Sequence, residues 1–340
     1  MEQLLSDRQQ AVLALIVREH VTLKMPVGSG TIVRKYGPGV SPATVRHEMV
    51  SLANHGFVIS THASSGRVPT DQGYRYYVRH LMRPVDLSAD ERRMINHQFH
   101  QIERDLDQWS QLAATVLAQV TGYASFVTLP LVRRSRIRHV DLVATQDRAA
   151  MLIALLREGT LHRQLLALPG AFAQERLDEV ARRLTQELRG KRAEEITGWS
   201  GARDPLETVV RDNLAALLGR VDQQSAADVR YDGISSLLAQ PEFSRGEKAG
   251  DILRAFEQRQ TLVEIADVVR DHHGVQVLIG DENPSSVLRE CATVASRYGN
   301  DGTAGVIGVI GPTRMRYDRV IATLQYVGSL LTELWADLGG

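Results

Sequence analysis

The spacing of apolar positions changes along the chain, and each change marks an element. After Ser6 the apolar residues Leu13, Ile16 and Val17 fall at helical spacing, and Ser6 with Gln9 forms a capping box. In PVGSGTIVRKYG, Ser29 can cap a short helix that buries Ile32, Val33 and Tyr36. That helix turns Arg34 and Lys35 outward and stops at Gly37 and Gly39. VSPATVRHEMVSLANHG predicts a third helix: Ser41 suits the N-cap, Pro42 the first helical position and Gly56 a left-handed C-terminal cap. Its buried stripe is Val45, Met49, Leu52 and Ala53. FVISTHA then reads as a strand, SSGR as a turn around Gly66 and RVPT as the returning strand. Thr70 caps a helix in which Tyr74, Tyr77, Val78 and Leu81 share one face, while Arg75, Tyr76 and Arg79 point elsewhere. Three helices, a hairpin and a closing helix make a winged helix-turn-helix.

Beyond it the pattern is that of a scaffold. Ser88 and Glu91 form a second capping box, and Ile95, Phe99, Ile102, Leu106, Trp109, Ala113, Val116 and Val120 alternate by four and three. Such a seam fits coiled-coil or domain-spanning packing, and equally a helix packed on its own domain. Strand-like segments follow in ASFVTLP, HVDLVAT, AAMLIALL and HRQLLAL. Helical patterns then run through QERLDEVARRLTQELRG, LETVVRDNLAALLGRV and EKAGDILRAFEQRQTLVEIADVVRD. Strands return in VQVLIG, CATVASRY and GVIGVIG, before an amphipathic helix from Thr313. Strands, a helical block, then strands again predict an α+β multidomain chain with an insertion.

Charge sharpens this picture. The 340 residues carry no net charge, yet residues 1–83 hold ten Lys/Arg against five Asp/Glu, a net +5, so the remainder is −5. A basic module on an acidic chain points to an anionic partner for the N-terminus. The face of the third helix opposite its stripe shows Ala43, Thr44, Arg46, His47 and Val50, with Ser41 at its start. Small, hydrogen-bonding and cationic, it suits a recognition helix entering a major groove by its N-terminal end. Arg67 beside Ser64 and Ser65 at the hairpin tip suits phosphate contact, and Tyr76 is the tyrosine left over from the core face.

Other chemistry is weakly signalled. The single cysteine, Cys291, suits a reducing cytosol, the start has no signal peptide, and AAMLIALL is too short to span a membrane. The chain is expected to be cytoplasmic. DHHG (271–274) echoes metal-dependent phosphoesterases, but it ends a helix where histidine suits the dipole. GVIGVIGP lacks phosphate-loop spacing, and Cys291 sits in an apolar strand. No catalysis, metal or cofactor is expected.

Residues 26–78, PVGSG through YRYYV, resemble the N-terminal signature of the HrcA family of heat-inducible transcription repressors. LIGDEN (278–283) and GVIGPTRMRYDRVI (308–321) resemble its C-terminal motifs, while roughly 170 to 260 matches much less. The resemblance implies a winged helix at 1–83, a GAF-like domain at 84–170 and 262–340, and an inserted dimerisation domain at 171–261. It also implies a homodimer that binds an inverted-repeat operator upstream of chaperone genes, with the chaperonin as a modulator. Gly30 stands where the family often has arginine, and His47 where asparagine is usual; both bear on base contacts. The alternative is a ligand-sensing regulator with a small effector in the GAF-like domain. Its strands offer mostly Val, Leu, Ile and Ala rather than convergent polar groups, which favours a structural use.

Overall fold

The computed structural model describes residues 5–337 except 38, 40, 61–65, 103–104, 133–134, 147, 158, 227–228, 245–246, 258–259, 271 and 301–302. The side chains of residues 36, 131–132, 223–226, 247, 260 and 337 are likewise outside the description. The fold is mixed α+β and divides into two compact units. One comprises Met1–Leu129, Val229–Gly299 and Gly305–Gly340; the other comprises Pro130–Asp228 and Asn300–Ala304.

The chain begins with α1 (Asp7–Leu23), α2 (Ser29–Tyr36) and α3 (Pro42–Asn54), then the hairpin strands β1 (Val58–Ser60) and β2 (Arg67–Pro69). Local capping sets these limits. Ser6 Oγ accepts from Gln9 N while Gln9 Oε1 accepts from Ser6 N, and Ser41 Oγ accepts from Thr44 N at 3.2 Å. Gly56 takes the expected left-handed conformation (φ 79°). The N-cap of α2 is Gly28, so Ser29 is its first residue rather than its cap.

The closing helix is short: α4 (Asp71–Tyr76), capped by Thr70, passes into a wide π-type turn at Tyr77–Leu81. A Cβ on Gly73 would lie 2.1 Å from Phe57 O, so the absence of a side chain lets α4 cross directly over Phe57. Next come α5 (Ala89–His100), α6 (Leu106–Thr121) and β3 (Ala124–Thr128). The apolar seam is therefore two helices. Asp105 breaks it by capping α6, its carboxylate accepting from Asp107 N at 2.8 Å. Both helices bury Ile95, Phe99, Trp109, Ala113 and Val116 in the core of their own unit.

The second unit holds β4 (Leu131–Val132), β5 (Ile137–Gln146), β6 (Ala149–Leu156), β7 (Leu161–Ala167), α7 (Gln174–Leu188), α8 (Ala193–Thr197) and α9 (Pro205–Ala226). Strands β5, β6 and β7 form an antiparallel sheet in that order. On one face Leu142, Leu152, Ala154 and Leu166 pack against Leu177, Leu184, Leu214 and Leu218. The compact unit so formed is 130–228 with 300–304, and it includes β5–β7. The amphipathic α7 and α9 need an apolar sheet to cover, and β5–β7 provide it.

The chain returns to the first unit as β8 (Val229–Asp232), α10 (Ile234–Leu238), α11 (Glu247–Glu257), α12 (Gln260–Arg270), β9 (Val275–Ile279), β10 (Cys291–Gly299), β11 (Thr303–Pro312) and α13 (Tyr317–Asp337). The central sheet is antiparallel, in the order β8-β3-β11-β10-β9, with β4 pairing the start of β11. Its two faces fill different cores. Val127, Ile307 and Val309 pack in the core shared with α6 and α13, and Phe126, Val306 and Ile310 in that shared with α11 and α12.

Candidate nucleic-acid interface

Helix α3 is held from behind. Val45 and Leu52 are fully buried, Met49 nearly so, and Ser51 Oγ accepts from Gln9 Nε2 of α1 at 2.9 Å. Glu48 faces Arg8 of α1 at 3.9 Å. This leaves Ser41, Ala43, Arg46, His47 and Val50 exposed along the outer face, with Thr44 half-buried beside Ser41. Val50 keeps 43% of its surface in water, an apolar spot amid polar groups. No acidic residue stands in the first turn of α3, so its N-terminal dipole is left to favour anions. In α2, Gly30 and Arg34 are also exposed, while Lys35 pairs with Glu19 of α1 at 2.7 Å. The sequence reading missed Glu19 and Gln9 as braces. Glu19 had a visible signal, being a carboxylate three residues after Ile16 on the apolar side of α1, and it is 1% exposed.

The hairpin differs from expectation. Ser64 and Ser65 lie outside the described residues. Arg67 is not at the tip: it begins β2, pairs with Ser60, and exchanges two backbone hydrogen bonds with Val27 at 2.8 and 2.9 Å. The cause is Gly66, where a Cβ would fall 2.3 Å from the Val27 carbonyl carbon. That close approach draws the return strand against the segment before α2. The Arg67 side chain is half-buried, and its Nε has no hydrogen-bond partner among the described residues.

Tyr76 is a core residue, contrary to the expectation that it is free for contact. It is 6% exposed and packs edge-on against Phe57, ring centroids 5.3 Å apart. It stands three residues after Gly73 and so shares the face that crosses Phe57. Tyr74 is buried as expected, with its Oη 2.6 Å from His20 Nδ1. Burial raises the Tyr74 phenol far above its ordinary value. It lowers the pKa of His20, helped by the Arg314 guanidinium and opposed by Glu242.

The other candidates give no catalytic geometry. Cys291 is buried, and desolvation lifts its thiol to about 12, so it stays protonated near neutrality. Asp271 of DHHG lies outside the described residues, and His272 Nδ1 sits 2.8 Å from Val268 O at the end of α12. Gly305 and Gly308 make room for the rings of Tyr298 and Phe126. Among the described residues no group of three or more His, Cys, Asp or Glu could hold a metal ion, and no helix is long and apolar enough to cross a membrane.

A family model described as the HrcA protein C-terminal domain matches residues 107–321. A heat-inducible transcription repressor HrcA of Roseiflexus castenholzii is 39% identical, over 99% of this chain and 96% of that repressor. The repressor of the same name from Chloroflexus aurantiacus is 37% identical over 98% and 95%, and that from Dehalococcoides mccartyi 33% over 99% and 98%. A crystal structure of a hypothetical protein, 23% identical, covers 98% of both chains with a TM-score of 0.58 and shares the fold. These relatives are transcription repressors, not enzymes, and that is the class of this chain. It belongs to the HrcA family, the heat-inducible transcription repressors.

Proposed function

We propose that this chain represses chaperone genes in the cytoplasm by binding an inverted-repeat operator as a homodimer, with residues 1–83 acting as a winged helix-turn-helix. The observation that carries this reading is the outer face of α3. It is braced from behind by Gln9 and Arg8, and it presents Ser41, Ala43, Arg46, His47 and Val50 to solvent. Arg46 reads a base edge in the major groove, Val50 meets a thymine methyl, and the hairpin with Arg67 lies along the backbone. The family's chaperonin link extends the reading: chaperonin raises the fraction of repressor competent to bind DNA.

The unit 130–228 is the dimerisation domain of this proposal. The outer face of its sheet carries Met151, Ile153, Leu155, Leu161 and Leu165, with Leu161 and Leu165 57% and 61% exposed. Ile153 pairs with Asp141 on one side and Arg163 on the other. A two-fold axis through that row sets Asp141 of each copy against Arg163 of its partner, as a self-complementary interface requires. The central sheet then serves as a GAF-like scaffold. Its interior is filled by side chains on both faces, which supports that use over an effector site.

The test is a salt titration of Arg46→Ala and Arg67→Ala on operator and on scrambled DNA. Arg46→Ala should weaken operator binding by about 1–3 kcal/mol and relax preference at one base pair per half-site, leaving scrambled DNA nearly unaffected. Arg67→Ala should weaken both and lower the salt slope by roughly one counterion per subunit. Equal loss on both DNAs for Arg46→Ala would make α3 a backbone clamp and end the docking.

A further inference from the structure

The N-terminal helices and hairpin are tied to the central sheet by a polar joint. At the start of α4, Asp71 lies so close to Gly280 (φ 62°) that a Cβ there would meet its Oδ2 at 2.0 Å. One turn on, Arg75 Nε stands 2.7 Å from Glu282 Oε1, an ion contact rather than an aligned hydrogen bond, and Arg75 Nη2 donates to Ile279 O at 3.4 Å. Arg79, in the wide turn after α4, reaches the same carboxylate at 3.7 Å. The acceptor side is stiff. Glu282 Oε2 accepts from Ile279 N at 2.9 Å, while buried Asn283 donates to the carbonyls of Gly280, Leu288 and Cys291 and accepts from Thr293 Oγ1. Asp281 faces away to Arg289 at 3.2 Å. Beneath the charges Tyr74 packs on Tyr317, both buried.

Two arginines from α4 and its wide turn thus share one carboxylate fixed to the edge of the central sheet. The hairpin directly precedes α4, so the joint also determines where hairpin and α3 point. In a two-fold dimer, looseness here spreads the separation and relative twist of the two α3 helices. Half-sites are read only at matching intervals along the DNA helix, and stiffness of the connection sets how sharply.

We propose that the Arg75–Glu282–Arg79 joint is a specificity determinant, fixing the spacing between the two half-sites that the dimer accepts. The inference rests on the dimeric DNA-binding reading above. Its residues position the reading helices and touch no DNA themselves.

The experiment uses full-length protein and duplexes carrying the half-site that the wild-type chain selects from random DNA, arranged as inverted repeats with the spacer varied one base pair at a time. A duplex with one half-site is the control. Glu282→Gln keeps an acceptor for Ile279 N but removes the charge, and Arg75→Gln removes the partner. Each should reduce the ratio of affinities between best and next-best spacers about fivefold, the lower end of couplings between sites, while single half-site binding stays within about twofold. The double variant should lose little more than Glu282→Gln alone, because removing that charge already breaks the ion contacts to both arginines. An unchanged spacer profile in both variants, with wild type selective, overturns this inference and leaves the dimeric repressor intact. A loss of single half-site binding as large as the loss on the full repeat also overturns it, since the joint would then only hold the module folded. A wild-type chain that selects no inverted repeat overturns the functional reading itself.

Discussion

The central sheet and the β5–β7 sheet use nearly the same residues and end in opposite states. In β11 the positions from Ala304 to Pro312 are all buried, and in β10 the six from Cys291 to Ser296 are too. In β6 burial alternates strictly, and in β7 Leu161, Arg163 and Leu165 are exposed. The central sheet is covered twice, by α6 with α13 and by α11 with α12, so Val and Ile can occupy both faces. The sheet of the second unit is covered once, by α7 and α9. Apart from the charges of Asp141 and Arg163, its outer face is mostly apolar, although a sheet face left to water would normally turn polar. One sheet is finished within the chain, and the other leaves an apolar face for the second copy of the proposed homodimer.

The sharpest way to break the comparison is to add volume to the finished sheet. Gly308 sits in β11 where a Cβ would fall 2.3 Å from the Phe126 ring and 3.1 Å from Ala295 Cβ. Both neighbours are fully buried and have nowhere to go. Gly308→Val should therefore cost roughly 3 kcal/mol or more and lower Tm by about 10 °C. Phe126→Leu in the same chain should recover part of that loss, because it removes the atoms in conflict. Thermal denaturation followed by circular dichroism checks both. A Gly308→Val chain as stable as wild type would mean that the central sheet is not closed on that face.

How much of this was legible follows from the distance over which each feature is decided. The caps at Ser6, Ser41, Thr70 and Ser88 are settled within four residues, and all four side chains accept the expected backbone N–H. The strands AAMLIALL and HRQLLAL were legible as strands, but not the sheet they join, since hairpin partners look alike in either setting. The break at Asp105 was hidden because the apolar spacing runs straight across it. Tyr76 was misjudged because its face is set by the close crossing at Gly73, a contact with Phe57 rather than a helical period. The joint lies furthest from reach: Arg75 and Ile279 are 204 residues apart in sequence. On α3, Ala43, Arg46, His47 and Val50 were legible because a 13-residue helix with one buried stripe leaves only one other face.

The unfinished sheet allows a milder test. Leu165 lies on the outer face, 61% exposed, across from Met151. Leu165→Glu should leave the fold of each copy within about 0.5 kcal/mol, as surface changes do. At a two-fold interface the same change is felt twice. Losing the partial burial of two leucines amounts to about 2 kcal/mol, roughly thirtyfold in the dimer Kd. Light scattering across micromolar dilution should show the variant dissociating where wild type does not. A variant that dissociates no earlier, with unfolding unchanged, would leave this apolar face without its second copy.

The smallest effect concerns a titratable group enclosed in the first unit. His20 Nδ1 lies 2.6 Å from Tyr74 Oη, and burial is the main reason that its pKa is lowered, with the Arg314 guanidinium adding to it and Glu242 opposing. Arg314 is itself buried and paired with Glu242, so its positive charge is fixed near the imidazole. In the unfolded chain the imidazole takes up its proton near the ordinary value of about 6.5. Below that pH the unfolded state binds a proton that the folded state resists, and by linkage stability must fall. Full stability is therefore expected above about 6.5, with a decline as pH drops toward the depressed folded value. His20→Gln keeps a polar partner for Tyr74 and cannot titrate, so its urea midpoint should vary less between pH 7.5 and 5.5 than that of wild type. The difference between the two slopes isolates His20 from the carboxylates that titrate lower. Parallel slopes would mean that the imidazole is hydrated in solution, and that the interior of this unit is open at α1.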